Sequence, residues 1–175
     1  MALVYLSIGS NIERFRHVTS ALDALEARFA PLVVSSVFES EAVGFNGSPF
    51  LNLVVAMDTE LSVGELSQWL KALEDANGRV RGGAKFAPRT LDVDILTYNQ
   101  VVGVVDGVEL PRGEVLYNAF VLWPLSEIAP DDVHPISQQT YANLWADYDR
   151  STQRLWPVDF SWKGQLISRA QPLNN

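Results

Sequence analysis

Asp92 and Asp94 are the residues whose type and spacing point most directly to chemistry. They stand two apart inside an apolar run, Leu91, Val93, Ile95 and Leu96. In a strand, alternate side chains share a face, so this spacing aims both carboxylates the same way, roughly 7 Å apart. Two acids on one face of an otherwise apolar strand are costly without a partner. A hard divalent cation such as Mg²⁺ suits them, because it takes oxygen ligands and keeps positions for waters and substrate phosphates. Four cations come just before: Arg79, Arg81, Lys85 and Arg89. Arginine forks hold phosphate oxygens bidentately. Cations followed by a carboxylate pair suggest phosphoryl transfer from a metal-bound nucleotide. The plainer alternative is a solvated acid pair beside a solvated basic loop.

The whole chain narrows the function classes. Its 175 residues suit one domain spanning 1–175, with a hydrophobic share of 47% and a charged share of 19%, as in globular proteins. The absence of cysteine excludes disulfide frameworks and thiolate chemistry. Ala2 to Ile8 is too short for a signal sequence, and no run approaches a membrane span. A soluble, cytoplasmic protein is therefore the expectation, and a monomer is taken as the acting unit. The net charge of −8 argues against nucleic-acid or anionic-membrane partners. Yet Lys71, Arg79, Arg81, Lys85 and Arg89 are 5 of the 13 basic residues, concentrated where a small anion could be met.

These residues need elements to hold them. Ala2 to Ile8 reads as a buried first strand, and Gly9-Ser10-Asn11 as a turn rather than a phosphate cradle. A helix follows with Ile12, Phe15, Val18, Leu22, Leu25 and Phe29 as its apolar stripe and His17 on its surface. Leu32 to Phe38 reads as a second strand and Phe50 to Met57 as a third, joined by a long loop of the kind that often carries function. Asn52 is a polar amide in the third strand; it either satisfies a neighbouring loop or reads a ligand's edge. Ser62 to Glu65 forms a capping box, opening a helix that buries Leu66, Trp69, Leu70 and Leu73 and closes at Asn77-Gly78. Glu74 sits near its end, where the dipole disfavours a carboxylate, so it is expected to accept hydrogen bonds from an arginine or a ligand. Gly78 and Gly83 have P-loop separation, but Ala84-Lys85 replaces the required Gly-Lys-Ser/Thr, and no dinucleotide fingerprint is present.

Thr90 to Tyr98 is the acid-bearing strand. Asn99-Gln100 reads as a hairpin turn into Val101 to Val105, and Asp106-Gly107 turns again before an extended Val108 to Pro111. Tyr117 to Pro130 reads as an apolar strand broken by Pro124 into a helical turn. Thr140 to Tyr148 suggests a short helix, and Leu155 to Ile167 an added edge strand. Strands mixed with two main helices predict α+β with a largely antiparallel sheet.

Several of these stretches together resemble the 6-hydroxymethyl-7,8-dihydropterin pyrophosphokinase family of folate biosynthesis. They are Tyr5 to Ile12; Ser36 to Ser40 with Gly44 and Pro49 to Asn52; Gly78 to Arg81; Pro88 to Leu96; and Phe120 to Leu125 with Glu127 to Pro130. The likeness runs over about residues 2–150, leaving 151–175 as an extension. It implies an α/β/α layered domain with ferredoxin-like elements. It also implies transfer of pyrophosphate from ATP to the pterin hydroxymethyl group, giving AMP.

By resemblance, Asp92 and Asp94 would hold two Mg²⁺ ions. Arg79 and Arg89 would neutralise phosphate, and Arg81 would help close the basic loop over ATP. Glu74, Phe86 and Ile95 would lie near the nucleotide. Asn52 would read the pterin edge between Phe50 and Phe120, with backbone at Ser40 and Val43 completing the pocket. The chain also departs from the family pattern. Arg112 replaces a histidine and Gly113 an aromatic or similar residue. Asn118 replaces an arginine, Gly107 and Glu109 stand where polar or basic residues are usual, and Glu41-Ala42-Val43-Gly44 replaces the usual pterin-loop sequence. Arg112 would supply a phosphate contact from a new position. A non-catalytic or altered-specificity pterin- or nucleotide-binding paralogue is the second reading, and a ferredoxin-like interaction domain the third.

Overall fold

The computed structural model describes residues 1–41, 49–78 and 90–170. Strand β1 (Ala2–Ser10) leads into helix α1 (Arg14–Phe29). Then come β2 (Val33–Val34), β3 (Val37–Ser40), β4 (Phe50–Thr59), helix α2 (Val63–Ala76) and β5 (Asp92–Tyr98). A hairpin of β6 (Gly103–Val105) and β7 (Val108–Leu110) precedes α3 (Glu114–Tyr117), α4 (Ala119–Ile128) and α5 (Tyr141–Ala146). The tail adds β8 (Leu155–Val158), β9 (Phe160–Trp162) and β10 (Gln165–Ser168).

The main sheet runs β5-β1-β4-β3-β8, with β2 also on β4, and every pairing is antiparallel. With β2 and β3 counted as one interrupted strand, the order strand-helix-strand-strand-helix-strand from β1 to β5 is the ferredoxin-like unit, so the α+β expectation holds. Strand alternation sorts β1 between two cores. Val4, Leu6 and Ile8 join Leu22, Leu25, Leu66 and Leu70 of α1 and α2. Tyr5 joins Val54, Ala56 and Leu96 beneath Val121, Leu122 and Leu125 of α4. Helices therefore cover both faces, giving an α/β/α layering. The expected capping box opens α2: Ser62 Oγ accepts from Glu65 N–H and Glu65 Oε1 from Ser62 N–H.

Several expectations need correction. Tyr117 to Pro130 is not a broken strand but mainly the helix α4, with Pro124 inside it. A segment apolar all round has no readable period; burial between the sheet and α5 favours the helix despite the donor that Pro124 lacks. His17 is buried, its Nδ1 2.6 Å from the Ile12 carbonyl, while Ile12 and Phe15 are exposed. The helix starts at Arg14, after Glu13 in a left-handed conformation (φ 42°), which turns the stripe toward His17, Val18, Ala21 and Leu22. Phe15 instead stacks on Phe160 of the tail at 5.6 Å.

Gly9 and Ser10 belong to β1 rather than to a turn. The expected second strand is split into β2 and β3 at Ser35, whose Oγ accepts from Val54 N–H at 2.9 Å. Asn99-Gln100 turns, but β6 does not pair with β5. Its partner is β7, through Asp106-Gly107, both at positive φ (50° and 81°), as a tight two-residue hairpin requires. Asn99 instead extends the β1–β5 ladder, its N–H donating to the Leu3 carbonyl and its Oδ1 accepting from Leu3 N–H. In the tail, β8 does form an edge strand on β3, and Ser168 Oγ accepts from Val37 N–H at 2.8 Å.

Candidate active site

The register of three strands assembles the candidate site. Gly9 of β1 lies opposite Asp92 of β5 on one side and Asn52 of β4 on the other. Paired residues share a face, so Asp92, Gly9 and Asn52 form one row across the sheet. The acid and the amide stand two strands apart, about 10 Å. The next row is Asp94, Ser7 and Val54. Val93 and Ile95 alternate to the opposite face and enter the core against α1 and α2. The pleat thus puts both acids on the face that α4 and α5 cover only farther along. Both are partly exposed there.

Glycine at position 9 keeps this floor flat. A Cβ there would lie 3.2 Å from Asn52 Oδ1 and 3.9 Å from a ring carbon of Phe50. Asn52 is buried, and its Nδ2 donates to Ser40 Oγ at 2.9 Å, which fixes the amide with Oδ1 toward the Gly9 side. Phe50 and Phe120 are each partly buried, Phe50 at the start of β4 and Phe120 in the first turn of α4. Arg14 braces one edge of the same region: it pairs with Glu39 at 2.8 Å and donates to the Pro49 carbonyl at 3.1 Å.

At the acid end, Glu74 is buried and its Oε2 accepts from Val93 N–H at 2.8 Å. That bond holds the outer edge of β5 between the two acids, a use that α2's sequence alone does not reveal. Arg112 N–H donates to the Leu96 carbonyl at 2.8 Å, tying its segment to the same edge. Its guanidinium lies 3.7 Å from Asp94 Oδ2 and bonds Glu114 Oε1 through Nη2 at 2.8 Å and Nε at 3.1 Å. Burial pushes the Asp94 carboxyl up to about 7, with Asp92 repelling it and Arg112 only partly compensating. Burial alone would lower the Arg112 guanidinium; Asp94 and Glu114 outweigh it and hold the charge more firmly than usual.

An anionic site of this kind suits a cation. Among the described residues no group of three or more His, Cys, Asp or Glu converges as a closed metal cage. Two carboxylates with open positions fit Mg²⁺, which retains waters and takes phosphate oxygens.

The fold brings together Asp92, Asp94, Arg112, Glu74, Asn52, Ser40 and Phe50 at one end of the sheet, while Phe120, in the first turn of α4, packs against the core that α4 shares with Tyr5 and Val54. Ile95 turns its side chain into the core on the face away from the acids. Val43, Arg79, Arg81, Phe86 and Arg89 lie outside the described residues. Sequence reading missed Gly9 and Glu114. An interior strand glycine is a signal for close approach; Glu114, two residues from Arg112, carried none.

The chain belongs to the 7,8-dihydro-6-hydroxymethylpterin-pyrophosphokinase (HPPK) family, whose model matches residues 5–130. A relative from Aquifex aeolicus, 2-amino-4-hydroxy-6-hydroxymethyldihydropteridine pyrophosphokinase, is 37% identical over 138 residues, covering 78% of this chain and 86% of its own. The enzyme of the same name from Pseudomonas aeruginosa is 37% identical over 132 residues, covering 73% and 81%. Among solved structures, Plasmodium falciparum HPPK-DHPS superposes with a TM-score of 0.68 at 14% identity, over 96% of this chain and 49% of that one. That likeness is one of fold, and this chain spans about half the length of the Plasmodium protein. Among the described residues no helix is long and apolar enough to cross a membrane.

Proposed function

We propose that this HPPK-family chain transfers the terminal pyrophosphoryl group of ATP to the hydroxymethyl oxygen of 6-hydroxymethyl-7,8-dihydropterin. The new bond joins that oxygen to the β-phosphorus. The bond from the β-phosphorus to the α,β-bridging oxygen breaks, that oxygen leaves with AMP, and the hydroxymethyl proton is released. The observation that carries this reading is the row Asp92–Gly9–Asn52. It sets a cation-seeking acid and a buried, oriented amide about 10 Å apart on one flat floor.

In this reading Asn52 Oδ1 accepts from the ring's N–H edge, while Ser40 fixes its orientation. Phe50 and Phe120 stack on the two ring faces, and backbone at Val43 closes the pocket. Asp92 and Asp94 would hold Mg²⁺, expected as two ions, whose charge would offset that of the triphosphate. Glu74 keeps β5 straight behind them. Arg79 and Arg89 grip phosphate, and Arg81 and Phe86 close the basic loop on the nucleotide. Arg112 supplies a further phosphate contact near Asp94. Catalysis is then positioning and electrostatic preorganisation, without a protein general base. We take one chain as the acting unit, with all of 1–175 as one domain, and place the reaction in the cytoplasm, where ATP and Mg²⁺ are at hand.

Incubation with ATP, Mg²⁺ and the reduced hydroxymethylpterin tests this directly. AMP and pterin diphosphate should form in equal amounts. Pterin binding by calorimetry without AMP formation would overturn the transferase reading in favour of a binding paralogue.

A further inference from the structure

Gln153 lies in the tail, beyond the residues that the family model matches, in the exposed stretch before β8. Its side chain nevertheless reaches the junction of α3 and α4. Gln153 Oε1 accepts from Ala119 N–H at 2.6 Å, capping the start of α4. Its Nε2 donates to Asn118 Oδ1 at 3.0 Å and, more weakly, to the Tyr117 carbonyl at 3.4 Å. Asn118 Nδ2 donates onward to Glu114 Oε2 at 3.1 Å. The other Glu114 oxygen receives both Nε and Nη2 of Arg112, whose Nη2 faces Asp94.

Each amide in this chain has one donor end and one acceptor end, so its order is fixed. With Gln153 donating, Asn118 must turn its oxygen to the tail and its NH₂ to Glu114. Glu114 is thereby held so that its free oxygen grips the Arg112 fork. Without that grip, a guanidinium between two acids is free to move fully onto Asp94. We propose that Gln153 is a positioning residue for the reaction, setting through Asn118 and Glu114 where Arg112 stands beside Asp94. This inference rests on the pyrophosphokinase reading and adds the tail to its machinery. Gln153 bonds only to Ala119, Tyr117 and Asn118 among the described residues, so in this proposal its effect passes through Arg112, on the nucleotide side.

Gln153→Glu is the discriminating substitution. It keeps the oxygen that caps Ala119 but removes the donor to Asn118, so the amide of Asn118 flips and its oxygen meets Glu114; the weaker bond to the Tyr117 carbonyl is also lost, but that carbonyl still accepts from Tyr148 Oη at 2.7 Å. The KM for Mg·ATP should rise roughly tenfold, as for other residues that orient a ligand-holding group. The KM for the pterin should stay within about twofold, because the α4 cap and Phe120 are untouched. A purely structural role would lower the melting temperature and move both constants together. In an Asn118→Ala background the relay is already cut, so Gln153→Glu should add nothing. A Mg·ATP KM within twofold of wild type would overturn the proposal, as would a tenfold rise that persists without Asn118. Both results presuppose AMP formation by the unsubstituted protein. Its absence would reject the pyrophosphokinase reading instead, so the two failures are separable.

Discussion

The two faces of the sheet share strands but answer different demands. On one face, Val4, Leu6, Ile8, Val93 and Ile95 meet α1 and α2 in a continuous apolar core. On the other, the same strands present Tyr5 and Leu96 to α4 and α5, then Ser7, Gly9, Asp92 and Asp94 beyond the helices' reach. Period-two alternation separates these roles residue by residue. The dry face fixes register, and a one-residue slip would exchange acids for core. Chemistry on the open face is thus licensed by packing on the closed one.

The largest effect should follow from breaking the open face alone. Asp92→Ala should cut AMP formation roughly 10³-fold, the scale at which preorganised electrostatic groups act, and leave the melting temperature nearly unchanged. The matching cut on the closed face is Leu22→Ala, at a side chain with no exposed surface. It should cost about 2–5 kcal/mol of stability, with Michaelis constants of the remaining folded protein unaltered. Thermal unfolding and AMP release, measured on both variants, check the division. A large loss of stability in Asp92→Ala would mean that the acids serve the fold.

Gly9→Ala sharpens the comparison at its boundary. The added methyl would sit 3.2 Å from Asn52 Oδ1, and Asn52 cannot retreat without releasing Ser40. Pterin KM should rise about tenfold, as misplacement of a positioning group does, while Mg·ATP KM holds within twofold. Alanine also restores some strand preference, so stability should barely fall. Equal shifts in both KM values would show that the floor is not divided between ring and phosphate.

What the sequence made legible follows the same boundary. Short apolar runs revealed β1, β4 and β5, and the acids' common face followed from Asp92 and Asp94 being two apart. The α2 capping box was readable because its chemistry is local. By contrast α4 was misread, since a segment buried on nearly every side shows neither period, and Pro124 reads as breaking a strand into a helical turn. His17 was misplaced because one left-handed residue, Glu13, shifts the start of α1 and rotates its stripe. At the site, residue types were readable but partners were not. Glu74 holding Val93 N–H, Arg112 bridging Asp94 and Glu114, and Gln153 reaching Asn118 are contacts across 19, 18 and 35 positions of chain that no spacing rule connects.

The remaining contrast is a pH dependence, and its sign separates the faces again. Asp94 is pushed up to about 7 by burial and by Asp92, whereas in the unfolded chain it titrates near the ordinary aspartate value of about 4. The folded protein therefore binds the extra proton across that window. Its contribution to stability is full below about pH 4 and is lost as pH rises toward 7, flattening above. Apolar residues on the closed face contribute no such slope. Metal-free Asp94→Asn should thus lack this component, and its melting temperature should gain on wild type from pH 4 to 7. Mg²⁺ must displace the same proton, so its affinity for wild type should rise with pH, by up to about tenfold per unit, and level off above pH 7. Parallel melting profiles for the two proteins from pH 4 to 8 would mean that Asp94 is ionised throughout. The repulsion between the acids would then already be balanced by Arg112 without any ion.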